Sequence, residues 1–195
     1  MKVNHYTLLS LVFLALSLLM KSIPLLDIKV LKFFNTLMID KTFFSFFTEI
    51  GNGLICLAIT VPLLSLISYR TPLNNVKVQT LVFVGLGVGL IVKVLKELTS
   101  LYAVRPGFYE FEDVIYLEPV YLYSSFPSGH AATIFSLFLV WISLAFRNTK
   151  ISNSGLTITL LLIFASMVSI SRVIVAAHWL SAVSYTHLRA HETLT

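Results

Sequence analysis

The sequence predicts an all-α protein: a polytopic membrane helix bundle of five spanning helices, a truncated sixth and an interfacial amphipathic helix. Three observations predict this class. Apolar residues make up 57% of the 195 positions and charged residues 12%, about half the charged share of a soluble domain, and mean hydropathy is +0.89. Apolar runs recur at close to the roughly 20 residues that a helix needs to cross a bilayer. Basic residues fall mainly in the connections between those runs, as expected for residues that fix topology against anionic lipid. The formal charge of +5 therefore calls for a membrane surface as partner and for no nucleic acid. Cys56 is the only cysteine, so no disulfide can form within the chain.

Five windows qualify as crossings: Tyr6 to Leu26, Gly53 to Tyr69, Val78 to Lys96, Ala131 to Phe146 and Leu156 to Val175. Lys2 ahead of the first window would also suit a secretory signal, but no small-residue cleavage site follows. Between the first two windows, Ile28 to Ile50 mixes Lys29, Lys32, Asp40 and Lys41 with Val30, Leu31, Phe34, Leu37 and Met38 at helical spacing. That pattern predicts a helix lying in the interface, with the Phe43, Phe44, Phe46 and Phe47 stripe as interfacial packing. A sixth crossing starts near His178 and is cut short. Residues 1–181 are read as one membrane domain and 182–195 as a non-native or disordered tail. The tail's Ser-Tyr-Thr-His-Leu-Arg-Ala-His-Glu-Thr run resembles translated sequencing-adaptor read-through. His187 and His191 lie in that tail without a third ligand and are not read as a metal site. With a cytoplasmic amino terminus, the short basic connections holding Arg70 with Lys77 and Arg147 with Lys150 are cytoplasmic. The long connection from Glu97 to Phe126 then faces the other side.

Chemistry-bearing residues collect in three clusters. Lys96, Arg105 and Pro106 leave the third crossing, and Pro127-Ser128-Gly129-His130 opens the fourth. Ser171-Arg172, five residues and His178 close the fifth. Two helix exits and the intervening helix start must share one membrane face, so topology alone gathers them. Taken singly, each has a plain structural reading: an arginine as an interfacial anchor, Pro127 as an ordinary first helical residue, His130 as a hydrogen-bonded structural histidine. Together they meet the demands of phosphate ester cleavage. Arg105 and Arg172 offer planar forks to phosphoryl oxygens and Lys96 a point charge. Ser128 adds a hydroxyl, and the N–H groups around Ser128 and Gly129 lie at a helix amino terminus that favours an anion. One histidine can attack phosphorus as neutral imidazole while the other protonates the departing alkoxide.

These residues resemble the type 2 phosphatidic acid phosphatase superfamily, the lipid phosphate phosphatase and vanadium haloperoxidase-like group, in its membrane branch. Its signature is a lysine, six residues and Arg-Pro; then Pro-Ser-Gly-His; then Ser-Arg, five residues, His, three residues and Asp. The second part is matched in full at Pro127 to His130 and the third through Ser171, Arg172 and His178. The resemblance implies a membrane phosphatase acting on a phosphate or pyrophosphate ester of a lipid. His178 would be the nucleophile forming a phosphohistidine and His130 the general acid. Arg105, Ser128, Gly129, Arg172 and Lys96 would hold the phosphate, with no metal and no cofactor. It further implies six crossings and, for a bacterial inner-membrane protein, a site facing the periplasm or cell exterior. Transfer of the phosphoryl group to a second lipid, or binding of phospholipid without cleavage, are the alternatives; oligomeric state is left open.

Two positions depart from the signature. Its lysine should fall at 98, where Leu98 stands, leaving Lys96 and, nearly one turn earlier, Lys93 as candidates. Its Asp, placed to hold the nucleophile's ring, is replaced by Ala182. Along an unbroken helix, six steps of about 100° would leave Arg172 and His178 about 120° apart, so a break between them is expected.

Overall fold

In lipid every backbone N–H and C=O needs an internal partner, so long apolar runs become helices. The computed structural model describes residues 23–68, 74–117, 119–146 and 154–184, and the regular structure among them is helical. Helix α1 spans Pro24–Asn35, α2 Lys41–Glu49, α3 Gly53–Ser68, α4 Asn74–Thr99, α5 Gly129–Phe146 and α6 Ser154–Ile174. A short 3-10 turn, Pro106–Tyr109, interrupts the long connection, and residues 180–184 are helical again. Four of the five expected windows thus hold a helix, while positions 6–22 of the first and 185–195 of the tail lie outside the described residues.

Two described helices are long and apolar enough to cross a membrane, Asn74–Thr99 and Leu156–Ile174. Counting Lys41–Glu49 with Gly53–Ile67, a pair bent by 64°, makes three, and Gly129–Leu144 is apolar but shorter. The 26 residues of α4 give a length of about 39 Å, more than the roughly 30 Å hydrocarbon core. Its outward face carries Phe83, Leu90 and Val94 in the open, as suits side chains solvated by lipid.

The single interfacial helix expected over 28–50 is instead two helices, and the second is joined to α3 across the bend. Asp40 makes the first break: its carboxylate accepts from the N–H groups of Thr42 (2.7 Å) and Phe43 (3.2 Å), the N-cap that starts α2. Gly51 and Asn52 make the second, with Asn52 Oδ1 accepting from Leu54 N–H at 3.1 Å at the start of α3. The aromatic stripe divides accordingly. Phe43 and Phe46 stay exposed, whereas Phe47 packs edge-on against Phe164 of α6 with ring centroids 6.0 Å apart.

Helix α5 is the central element, packed against α3, α4 and α6. Residues Ala131 to Leu137 are buried without interruption, the mark of a helix surrounded on all sides. Ile134, Phe135 and Leu137 meet Cys56 and Leu64 of α3, Leu81 of α4, and Ala165 and Val168 of α6 in one core. Helix α1 is fixed to the other end of the chain by buried polar groups. Asn35 donates to the carbonyls of Ile115 and Ile174, both at 2.8 Å, and accepts from Ile115 N–H at 2.8 Å. Asp27 accepts from both the hydroxyl and the N–H of Ser181, while burial raises its carboxyl above the usual range. Replacing Asn35 by alanine strands two carbonyls and one N–H, so a loss of about 2–4 kcal/mol is expected. Thermal unfolding of detergent-solubilised protein checks it.

Candidate active site

The carboxyl end of α4, the amino end of α5 and the carboxyl end of α6 meet at one end of the bundle, as the three clusters require. The break between α2 and α3 joins them there. A cavity of about 320 Å³ opens among these ends, lined by Arg105, His130 and Arg172 together with Ser45, Thr48, Glu49, Asn52, Tyr116, Tyr121 and Ala177.

Arg172 comes from the last turn of α6 and is buried. Its Nη1 donates to Thr48 Oγ1 at 2.9 Å, and Ser171 Oγ donates to the same oxygen at 3.1 Å. Past Arg172 the helix stops at the expected break. Ala176 adopts the left-handed conformation with φ of 54°. The N–H of Ala177 (3.0 Å) and that of His178 (3.1 Å) both turn back to the Arg172 carbonyl, closing the last turn. Glycine usually occupies such a position because a Cβ is penalised there. Ala176→Gly is therefore expected to stabilise the fold by about 0.5–1 kcal/mol, read as a higher unfolding midpoint in detergent.

The break carries His178 to a fully enclosed position, 1% exposed. Its Nδ1 lies 2.6 Å from the Ser125 carbonyl. A carbonyl has no proton to give, so Nδ1–H is the donor and Nε2 of the neutral ring keeps its lone pair. Burial first, then the positive charges of Arg105, Arg172 and Lys96, hold the imidazole well below the ordinary histidine range against the opposing hydrogen bond. His178 does not itself line the cavity; its neighbour Ala177 does.

The long connection is ordered by its two ends running side by side. Arg105 N–H donates to the Leu122 carbonyl at 2.8 Å and Ser125 N–H to the Ala103 carbonyl at 2.7 Å. Gly107 fits beneath this pairing because a Cβ there would meet Val120 Cγ1 at 2.5 Å and the Tyr121 carbonyl at 3.1 Å. The Arg105 side chain is buried and spread over the same strip. It donates to the carbonyls of Tyr123 (2.7 Å), Ser124 (3.3 Å) and Ala177 (3.3 Å), and its guanidinium lies 5.2 Å from the Tyr121 ring centre.

Ser128 is wholly buried at the start of α5, where its carbonyl accepts the first helical bond from Ala132. Lys96 Nζ lies 3.8 Å from where a Cβ on Gly129 would sit, whereas Lys93 is exposed. Of the two candidate lysines, Lys96 is the one directed at the cluster. Four buried polar atoms lack a hydrogen-bond partner among the described residues: Ser125 Oγ, Ser128 Oγ, His130 Nε2 and Arg172 Nε. Buried polar groups are otherwise almost always paired, and two of these, on His130 and Arg172, belong to residues that line the cavity. No group of three or more His, Cys, Asp or Glu among the described residues is arranged to hold a metal ion.

Sequence reasoning named Arg105, Ser128, Gly129, His130, Arg172, His178 and Lys96, and all seven fall at this end of the bundle. It missed Thr48, Glu49, Asn52 and the Ser125 carbonyl. The Gly-Asn pair at 51–52, a helix breaker followed by a capping residue, is the signal that could have placed 48–52 at a helix junction.

A family model described as the PAP2 superfamily matches residues 77–187, more than half of the chain. Among curated proteins none matches in sequence. Two solved structures share the fold at 20% identity. One is the transmembrane PAP2-type phosphatidylglycerolphosphate phosphatase from Bacillus subtilis, with a TM-score of 0.74 over 95% of this chain and 90% of that one. The other is LpxE from Aquifex aeolicus, with a TM-score of 0.59 over 85% and 92%.

Proposed function

The chain belongs to the PAP2 superfamily, and from that membership and the chemistry of the cavity we propose that it hydrolyses a phosphate or pyrophosphate ester of a lipid. The observation that carries this reading is one cavity lined by Arg105, Arg172 and His130, with Arg172 Nε buried and without a hydrogen-bond partner. A tetrahedral anion supplies the acceptor that Arg172 Nε lacks.

Arg105 and Arg172 hold the equatorial oxygens, Lys96 and the amino end of α5 add positive potential, and Ser128 adds its hydroxyl. His178 Nε2 attacks phosphorus. The N–P bond forms, the P–O ester bond breaks, and the departing alkoxide takes a proton from His130. Water then attacks the phosphohistidine and gives its proton to His130; the N–P bond breaks, phosphate leaves, and His178 returns as neutral imidazole. Charge is neutralised throughout by arginine and lysine, with no metal in the scheme. Because His178 is enclosed, the strip carrying Tyr121 and Arg105 has to yield as the headgroup enters, the ordinary tightening of a site around its substrate.

The protein is integral to the membrane. We place it in a bacterial inner membrane with five crossings and a sixth beginning after His178, residues 1–181 forming the working domain and the site facing the periplasm or cell exterior. The acyl chains stay in lipid beside the helices while the headgroup enters the cavity. A second reading, binding without cleavage, is favoured by one observation: buried Ala182 stands where the family's orienting carboxylate belongs. Phosphate release by detergent-solubilised protein from mixed lipid phosphates, with wild type beside His178→Ala, decides between them. Equal release by both removes the enzyme reading, and transfer to a second lipid instead of water would appear as phosphorylated acceptor without free phosphate.

A further inference from the structure

The cavity holds one carboxylate among its described lining residues, Glu49, in a wall otherwise marked by Arg105, Arg172 and His130. Glu49 is the last residue of α2, and three features of the bend fix where its side chain goes. Gly51 passes so close to α5 that a Cβ there would meet His130 Cβ at 2.9 Å and the His130 carbonyl at 3.2 Å. The bend is thus seated directly on His130. Asn52, while capping α3 through Oδ1, turns its Nδ2 back to donate to Glu49 Oε2 at 3.2 Å. The other carboxylate oxygen, Oε1, then stands 3.6 Å from His130 Nε2, a buried atom with no other partner.

Resting on the phosphatase reading above, we propose that Glu49 is the positioning residue of the general acid: it orients His130 and supplies the counter-charge for its imidazolium. The need follows from the surroundings. Burial first, then the charges of Arg172 from α6, Lys96 from α4 and Arg105 from the long connection, push the pKa of the His130 imidazole down to about 3. Tyr116 and Tyr121 line the same cavity, and His178 lies behind it. An imidazolium among three cations requires an anion at short range, and within about 4–6 Å an opposite charge favours the charged form by 1–3 pH units. Glu49 is the carboxylate at that range. When His130 later takes a proton from water, the same contact stabilises the product ion, so one residue serves both halves of the cycle.

The test compares wild type, Glu49→Gln and Glu49→Asp on two substrates, phosphatidic acid in detergent micelles and p-nitrophenyl phosphate, across the pH range. An alkoxide leaves only with a proton, whereas p-nitrophenolate leaves without one. Glu49→Gln is expected to lower kcat on phosphatidic acid by about 10²-fold, with a loss at least about tenfold smaller on p-nitrophenyl phosphate. The basic limb of its pH profile should move down by about 1 unit, because the imidazolium has lost its counter-charge. Glu49→Asp should restore part of the rate and of the limb. Equal losses on both substrates with an unmoved profile, or no loss on either, would overturn the role of Glu49 while leaving the phosphatase reading intact. Absence of release by the wild type from both substrates would overturn the phosphatase reading and this role together.

Discussion

Replacing His178 by alanine is expected to lower phosphate release by at least about 10⁴-fold, the scale seen when a catalytic nucleophile is removed from an enzyme that keeps its binding groups. The expectation rests on what the fold invests in this ring. The chain breaks α6 with a left-handed alanine to bring His178 round. It then fixes the tautomer with a 2.6 Å bond to the Ser125 carbonyl and keeps the ring neutral, first by burial and then by the cations around it. A group that only bound phosphate would gain from being charged; a nucleophile has to be neutral. Since the ring's proton affinity is held low, activity should not fall off through the ordinary histidine range on account of this residue. Release measured with a malachite-green readout on purified protein, together with trapping of an acid-labile phosphoenzyme in the wild type alone, checks the expectation.

The second large effect is expected at Arg172. Alanine there should cost about 10³-fold in kcat/KM, comparable to removing a preorganised donor from an oxyanion site. Lysine should recover no more than about a tenth of the loss, since it restores the charge without the planar fork. The geometry separates the two functions of the side chain. Nη1 is already committed to Thr48, whereas Nε is buried and unpartnered and remains available to an oxygen of the substrate. Thr48→Val provides the contrast: it removes the Nη1 partner and leaves the fork, so its loss should be well below that of Arg172→Ala. Steady-state kinetics on all three variants, with circular dichroism to confirm that they fold, gives the comparison.

Much of this arrangement was legible in the amino-acid order because membrane helices run from one face to the other. Once the third, fourth and fifth apolar windows are placed, the parity of crossings puts Arg105, His130, Arg172 and His178 on one side without any knowledge of packing. The break between Arg172 and His178 was legible too, since about 100° per residue cannot bring both side chains to one point. What escaped was whatever depended on tertiary contact or on backbone. The Ser125 carbonyl has no residue-type signature. Thr48 and Glu49 sit in a stretch whose charges and phenylalanines read as interface, and only the packing of Gly51 against His130 brings them to the site. Nothing in the residue order marks Asn35 and Asp27 as buried; their burial follows from partners 80 to 154 residues away. The choice of Lys96 over Lys93 likewise needed the position of α5.

Thr48 touches Ser171 and Arg172 across 123 and 124 positions of chain, which ties the site to the order of assembly. A protein inserting helix by helix has no complete anion pocket until α6 has docked against the bend between α2 and α3.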